Sequence, residues 1–256
     1  MTAPLVSIII PTLNEAANLG LLLDRLAGEP VPHEIIVVDG GSEDGTVDIA
    51  AAAEAHVLSA PRGRGQQVVA GADAASGDIL LFLHADSRFP KGGLAAVARA
   101  LETAPQAVGS NFRLLFDGDD DFSRWLDGFY ARIRARGVYY GDSAIFVRRA
   151  VYDRLGGIRP IALMEDYDFV RRLEKAGKTV CIGDPALTTS SRHFDGRRKG
   201  AIIWGWIKIH LLFYLGVSPR VLAWLYDSER RDSRSVGPEQ QSDQRDAAPL
   251  RPQSYS

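Results

Sequence analysis

Glu34-Ile35-Ile36-Val37-Val38-Asp39-Gly40-Gly41-Ser42 and Ile79-Leu80-Leu81-Phe82-Leu83-His84-Ala85-Asp86 decide how this chain folds. Each is a short apolar run that ends on an acidic signature, where a strand should stop. In an open α/β sheet, ligands bind beyond the carboxyl ends of the strands. A carboxylate there can hold a base edge, a ribose hydroxyl or a divalent metal. Two such tips in one half of the chain point to a nucleotide site.

The flanking sequence supports the same architecture. Leu5 to Ile10 is a β-branched run that Pro11 ends, so it reads as a buried strand. Asn14-Glu15 opens a helix to about Ala27, with Leu19, Leu22, Leu23 and Leu26 at helical spacing. Glu34–Val38 is the second strand, and Asp44-Gly45-Thr46 starts an alanine-rich helix through Ala55. His56–Ser59 is a short third strand, followed by a helix from about Gln66 to Ala75 and a turn at Gly77-Asp78. Strands alternating with helices of this length imply crossovers and a parallel sheet. Further on, helices are expected over Leu94–Thr103, Phe122–Arg136 and Tyr167–Ala176, and strands over Val108–Phe116, Ser143–Val147 and Thr179–Ile182.

Ala201–Tyr214 is apolar or aromatic nearly all round, including Trp204 and Trp206. It reads either as a core helix closing the domain or as a helix that meets a membrane or a greasy acceptor. From Ser228 the chain is polar and charged, and a disordered tail over 228–256 is expected.

The 256 residues suffice for one large domain, and the net charge of −2 gives no reason to expect a nucleic-acid groove. A single cysteine, Cys181, excludes an internal disulfide framework and a cysteine-based zinc site; it is expected to pack in an apolar strand. Met1-Thr2-Ala3-Pro4 has no basic region, Leu5–Ile10 is too short for a signal core, and no apolar run spans a bilayer. The expectation is a cytoplasmic protein, peripheral at the inner face of the membrane if residues 197–217 touch lipid.

Four elements in order carry a resemblance: Pro11-Thr12-Leu13-Asn14-Glu15, Val38-Asp39-Gly40-Gly41-Ser42-Glu43-Asp44-Gly45-Thr46, His84-Ala85-Asp86 and Glu165-Asp166. Over about residues 5–215 the chain resembles the inverting family 2 glycosyltransferases of GT-A fold. Its Asp-Gly-Gly-Ser, Arg-Gly-Arg-Gly-x-Gln and His-Ala-Asp variants resemble the bacterial subgroup associated with radical-SAM and selenium-domain proteins, some linked to arsenosugar synthesis. The resemblance implies an α/β GT-A fold, a Rossmann-like, mostly parallel sheet flanked by helices, with a C-terminal helical extension. It divides one continuous domain into a nucleotide-sugar half, 1–116, and an acceptor and catalytic half, 117–227.

The implied reaction moves a sugar from a nucleotide-diphosphate donor, UDP-linked by expectation, to a hydroxyl acceptor that is a small molecule or lipid-linked. Asp39 would accept from the imide of uracil, beside Pro11, Thr12 and Glu15 at the first strand tip. The family's usual second aspartate is Gly40 here. Asp44 reads equally as a helix cap, and Glu15 as a first-turn acid favoured by the helix dipole. Arg62 and Arg64 would meet phosphate or base, although a mobile glycine loop with solvated arginines reads as well. Asp86 matches the family's metal-bridging aspartate for Mn²⁺ or Mg²⁺, with Ala85 beside it and His84 where the pattern has an acid. A packed strand-end histidine is the plain alternative.

Asp166 aligns with the catalytic base, and Glu165 would orient the loop or the acceptor; two acids at a helix N-terminus would also suit the dipole alone. Gly141, Asp142 and Ser143 match the acceptor-side loop. Arg192 would cover the diphosphate, or sit in a solvated basic loop. Three rivals stay open. One is a non-catalytic nucleotide-sugar-binding module. Another is a nucleotidyltransferase, which would want a Gly-rich basic loop where Pro11–Glu15 stands. A glycoside hydrolase would need only paired carboxylates.

Overall fold

The computed structural model describes residues 4–190 and 199–235. In chain order the elements are β1 (Val6–Thr12), α1 (Ala16–Ala27), β2 (His33–Asp39), α2 (Thr46–Ala52), β3 (His56–Ser59), α3 (Arg64–Ala74), β4 (Ile79–Phe82), α4 (Gly93–Thr103) and β5 (Gly109–Phe116). They continue with α5 (Asp121–Arg134), a 3-10 turn (Gly141–Ser143), β6 (Ile145–Arg148), α6 (Arg149–Arg154), α7 (Glu165–Ala176), β7 (Thr179–Thr189), α8 (Lys199–Tyr214) and α9 (Pro219–Ser235).

The described strands form one seven-stranded sheet in the order β3-β2-β1-β4-β6-β5-β7. The pairs β1–β2, β1–β4, β2–β3 and β5–β7 are parallel. β6 runs antiparallel to both β4 and β5. The expected mostly parallel α/β fold is therefore present, with one reversed strand, β6, between β4 and β5.

Strand residues alternate between two cores, as the pleat requires. Ile8 and Ile10 face a cluster with Leu19, Leu22, Leu94, Val97 and Leu126 from α1, α4 and α5. Ile9 and Val38 face the other, with Val68, Val151, Phe169 and Val170 from α3, α6 and α7. α3 lies very close to the sheet. A Cβ on Gly71 would stand 2.5 Å from Ile9 Cγ2 and 2.9 Å from Val38 Cγ2, so only glycine permits this approach.

Four expectations change. α9 continues to Ser235, seven residues past the Ser228 at which disorder was expected. Its anchor is apolar: Leu222 is fully buried in a third cluster with Met164, Tyr167 and Ile209. Cys181 is exposed, because β7 is the sheet's edge strand and Cys181 is on its outward face. Burial on α8 is confined to Ile202 and Ile209, so it is not a fully enclosed core helix. The late strand is also longer than expected, since β7 pairs with β5 as far as Thr189.

Candidate active site

β1 and β4 are hydrogen-bonded neighbours, so their tips deliver Pro11 and His84 side by side. β6 opposes β4 with Phe82 facing Ile145, which brings the Gly141–Ser143 turn back against the end of β4. From the far face, α3 contributes Arg64 at its first turn and α7 contributes Glu165 and Asp166 at its own. Pro11, Arg64, His84, Gly141, Glu165 and Asp166 line one small cavity. Arg64, His84, Asp142 and Asp166 line an adjoining one of about 150 Å³.

The acids are held by specific partners. Arg64 Nε donates to Glu165 Oε1, and a guanidinium nitrogen lies 3.7 Å from Asp166 Oδ2. Glu165 is 3% exposed while the Arg64 side chain is 41% exposed, so this pair joins α3 to α7 with its acid buried and its guanidinium partly open to solvent. The charge of Glu165 chiefly holds Arg64 above its ordinary pKa. Asp166 accepts from the Gly141 N–H at 2.8 Å and from its own neighbour Tyr167 N–H at 2.7 Å. Gly141 must be small: a Cβ there would lie 3.1 Å from His84 Nε2 and 3.3 Å from Asp166 Oδ2. Met164, just before the acids, takes a left-handed φ of 69°.

Asp142 is the least compensated acid. Its buried Oδ1 has no hydrogen-bond partner among the described residues. Burial, and then the charge of Asp166, push it up to about 7, against the pull of Tyr130 and Arg64; Asp86 adds to the rise. Asp86 is half-buried and Ala85 buried at the turn after β4. Ser143 is structural here: its hydroxyl donates to the Tyr140 carbonyl at 2.6 Å.

The nucleotide-side residues form a neighbouring group. The Asp39 carboxylate accepts from the Gly41 and Ser42 N–H groups, at 2.8 and 2.9 Å, and from the Ser42 and Thr12 hydroxyls. Burial would raise its pKa, but the Ser42 and Gly41 hydrogen bonds prevail and lower it. Asp39 thus folds its own loop over the tip of β2. Glu15 stands at the N-cap of α1 with its carboxylate on Asn18 Nδ2 at 2.9 Å, and Asp44 accepts from the Ala16 and Thr46 N–H groups at the starts of α1 and α2, while the N-cap position of α2 is held by Gly45 and not by Asp44. Arg62 is exposed. Arg192 lies outside the described residues.

Two features escaped the sequence. Gln67, buried on α3, donates its amide to the Thr12 carbonyl at 2.7 Å and the Val38 carbonyl at 2.8 Å, tying the tips of β1 and β2 together. Gly40 is what leaves it room, since a Cβ there would meet the Gln67 amide at 3.1–3.3 Å. A buried glutamine in the glycine loop's helix was the only signal. The larger cavity also has an aromatic wall: Tyr130, Tyr140, Trp206, His210 and Tyr226, with Leu163, Met164 and Ile209. His210 Nδ1 donates to the Trp206 carbonyl at 2.7 Å, which leaves Nε2 to accept from the Tyr140 hydroxyl at 3.0 Å. The aromatic helical spacing of α5 hinted at part of this wall, but read alone it resembles a core face.

The cavities hold Glu165, Asp166 and Asp142 against one guanidinium, with Asp86 close by. Among the described residues, no three ligating side chains converge as a protein-only metal cage. Small divalent cations commonly need one or two carboxylates and take the rest from phosphate and water. Asp86, half-buried at the turn after β4, is a carboxylate that could serve a cation of that kind.

The family described as "Glycosyl transferase family 2" matches residues 7–154. The chain is similar to a PGL/p-HBAD biosynthesis glycosyltransferase of Mycobacterium bovis, 34% identical over 212 residues and covering 75% of each chain. Among solved structures it is similar to a mannosyltransferase of Pyrobaculum calidifontis in complex with GDP-Man and Mn²⁺. That match has a TM-score of 0.59 at 17% identity and covers 92% of this chain and 76% of that one. Glucosyl-3-phosphoglycerate synthase of Mycobacterium tuberculosis, in complex with Mn²⁺, UDP and glucosyl-3-phosphoglycerate, matches with a TM-score of 0.57 at 18% identity over 84% of this chain and 81% of that one. These structural likenesses bear on the fold, which is of the GT-A type.

Proposed function

The chain belongs to glycosyl transferase family 2 and is a glycosyltransferase using a nucleotide-linked sugar; we propose that it is an inverting, metal-assisted enzyme that moves the sugar of a UDP-linked donor to a hydroxyl. The carrying observation is the convergence of Pro11, Arg64, His84, Gly141, Asp142, Glu165 and Asp166, from five separate segments, on two adjoining cavities.

In this reading Asp166 is the base. Its carboxylate, oriented by the Gly141 and Tyr167 N–H groups, takes the acceptor proton as that oxygen attacks the anomeric carbon. The bond to the diphosphate breaks on the opposite face, which inverts the centre. Glu165 positions Arg64, and Arg64 supplies positive charge next to the departing phosphate. Asp142 accepts a hydrogen bond from an acceptor or sugar hydroxyl through its unpartnered Oδ1. Thr12, Asp39 and Gln67 shape the base pocket, with Glu15 and Arg62 at its edge.

Charge balance supports the cation. A pyrophosphate entering beside Asp86, Asp142, Glu165 and Asp166 would meet net repulsion from the protein. Asp86 would hold Mn²⁺ or Mg²⁺, which when bound neutralises the leaving diphosphate as a Lewis acid. The aromatic wall favours an acceptor whose hydroxyl is borne on an apolar or flat body, small or lipid-linked. We place the protein in the arsenosugar-type subgroup on the strength of its Arg-Gly-Arg-Gly-x-Gln stretch, whose glutamine occupies the space Gly40 leaves. Cytoplasmic action, and the division at residue 116, belong to the same proposal.

The test is a panel of nucleotide sugars with Mn²⁺, read by mass spectrometry for release of the nucleoside diphosphate and by NMR for anomeric configuration. Turnover of a UDP-sugar with inversion is expected. Binding of UDP-sugars without turnover would leave a non-catalytic module, and failure to bind any nucleotide sugar would overturn the proposal.

A further inference from the structure

α8 and α9 carry an apolar face that the rest of the described chain does not cover. Trp204, Ile207, Leu211, Tyr214 and Leu215 are all exposed, Trp204 to 67% and Leu215 to 71%. At about 100° per residue these five positions fall within an arc of roughly 100° on α8. α9 extends the face with Val221 and with Trp224, 63% exposed. A helix that is apolar on every side belongs in an interior, yet half of α8 faces outward. No helix among the described residues is long and apolar enough to cross a membrane.

Charge identifies the occupant. Residues 199–226 contain no Asp or Glu; their charged residues are Lys199, Lys208 and Arg220, in a chain whose net charge is −2. Over 199–235 the two helices carry six cations, Lys199, Lys208, Arg220, Arg230, Arg231 and Arg234, against three acids, Asp227, Glu229 and Asp232, all on α9. Exposed tryptophans amid leucine and isoleucine with this excess of cations form the combination that settles at an anionic lipid–water boundary. A second copy fits worse. Two-fold pairing would bring two copies of the same net-positive face together.

We propose that the α8–α9 face adsorbs to the surface of an anionic lipid bilayer. Trp204 and Trp224 enter the headgroup boundary, and Lys199, Lys208 and Arg220 meet lipid phosphates. The same two helices wall the larger cavity through Trp206, Ile209, His210 and Tyr226. On α8 the cavity-lining residues face away from the exposed arc, so adsorption would hold the cavity about 10 Å, one helix width, from the lipid surface. The docking does not depend on the reaction proposed above, and its test does not use activity.

The full chain is floated with vesicles of phosphatidylcholine alone and of phosphatidylcholine mixed with phosphatidylglycerol. The wild type is expected to rise with the mixed vesicles and far less with the neutral ones, with a blue shift in tryptophan emission. Trp204→Glu/Trp224→Glu changes only exposed side chains; with circular dichroism and melting unaltered, it should lose binding by about tenfold or more. Lys199→Gln/Lys208→Gln/Arg220→Gln should weaken binding to the mixed vesicles and remove its salt dependence. Two results would overturn the proposal: a wild type that stays in the aqueous phase with mixed vesicles, or a tryptophan double variant that binds as the wild type does. A wild-type dimer by light scattering that the tryptophan variant dissociates, without vesicle binding, would give the face to a second copy and equally overturn it.

Discussion

Asp142 and Asp166 face one cavity, and the fold treats them differently. Asp166 is met by two backbone N–H groups and an arginine, whereas Asp142 keeps a buried oxygen without a partner. If Asp166 is the base, Asp166→Asn lowers kcat by about 10²–10⁴-fold and leaves UDP affinity by calorimetry nearly unchanged. Retained turnover would remove it from that role. Asp86→Ala is expected to abolish the Mn²⁺ dependence of UDP binding; an unaltered titration would end the metal assignment. Asp142 gives a stability prediction. Its folded pKa, up to about 7, exceeds the ordinary 3.8, so between those values the folded state keeps a proton that the unfolded chain has released. Stability therefore falls as pH rises through that window. Asp142→Asn should remove this fall, gaining about 1–3 kcal/mol over the wild type between about pH 4.5 and about pH 8 in denaturant melts. Equal slopes would contradict it. These acids were legible in the sequence because each is beside a strand end or a helix start. Their separate environments were not, since the guanidinium that satisfies Glu165 arrives from the first turn of α3, 101 residues away.

Among elements, the tie between the glycine loop and the first two strand tips is open to test. Gly40→Asp restores the acid pair usual in the family pattern, but it crowds the Gln67 amide that joins Thr12 to Val38. The expected cost is about 1–3 kcal/mol in chemical denaturation. Gly40→Asp and Gln67→Ala should couple in a double-mutant cycle, because both break the same two hydrogen bonds; strict additivity would show that Gln67 is not what glycine 40 serves. Periodicity found β1, β2 and β4 because those strands are apolar runs with residues buried on both faces. It missed α9, where charged residues after Ser228 dominate the composition and one buried leucine, Leu222, does the anchoring. The aromatic wall of the cavity was equally hidden. Its members come from α5, α8, α9 and the loops between, and each alone has the spacing of an ordinary core face.

For the molecule as a whole, the C-terminal helices are part of the site rather than an appendage. Leu222, Ile209, Met164 and Tyr167 form one cluster directly under the turn that presents Glu165 and Asp166. Removing residues 219–256 should lower the melting temperature by about 4–10 °C, from the lost burial of Leu222 and its neighbours. An unchanged melting curve would show α9 to be dispensable for the fold. The reversed strand has a consequence of another kind. β6 is zipped to β4 residue by residue from Ile79–Arg148 to Phe82–Ile145, and a slip of one residue would turn its side chains inside out. Hybrids that graft a foreign acceptor half onto this donor half should therefore keep a working centre only when the crossover preserves that pairing frame. The seam between the halves, more than the chemistry on either side, sets which swaps a breeder of new specificities can make.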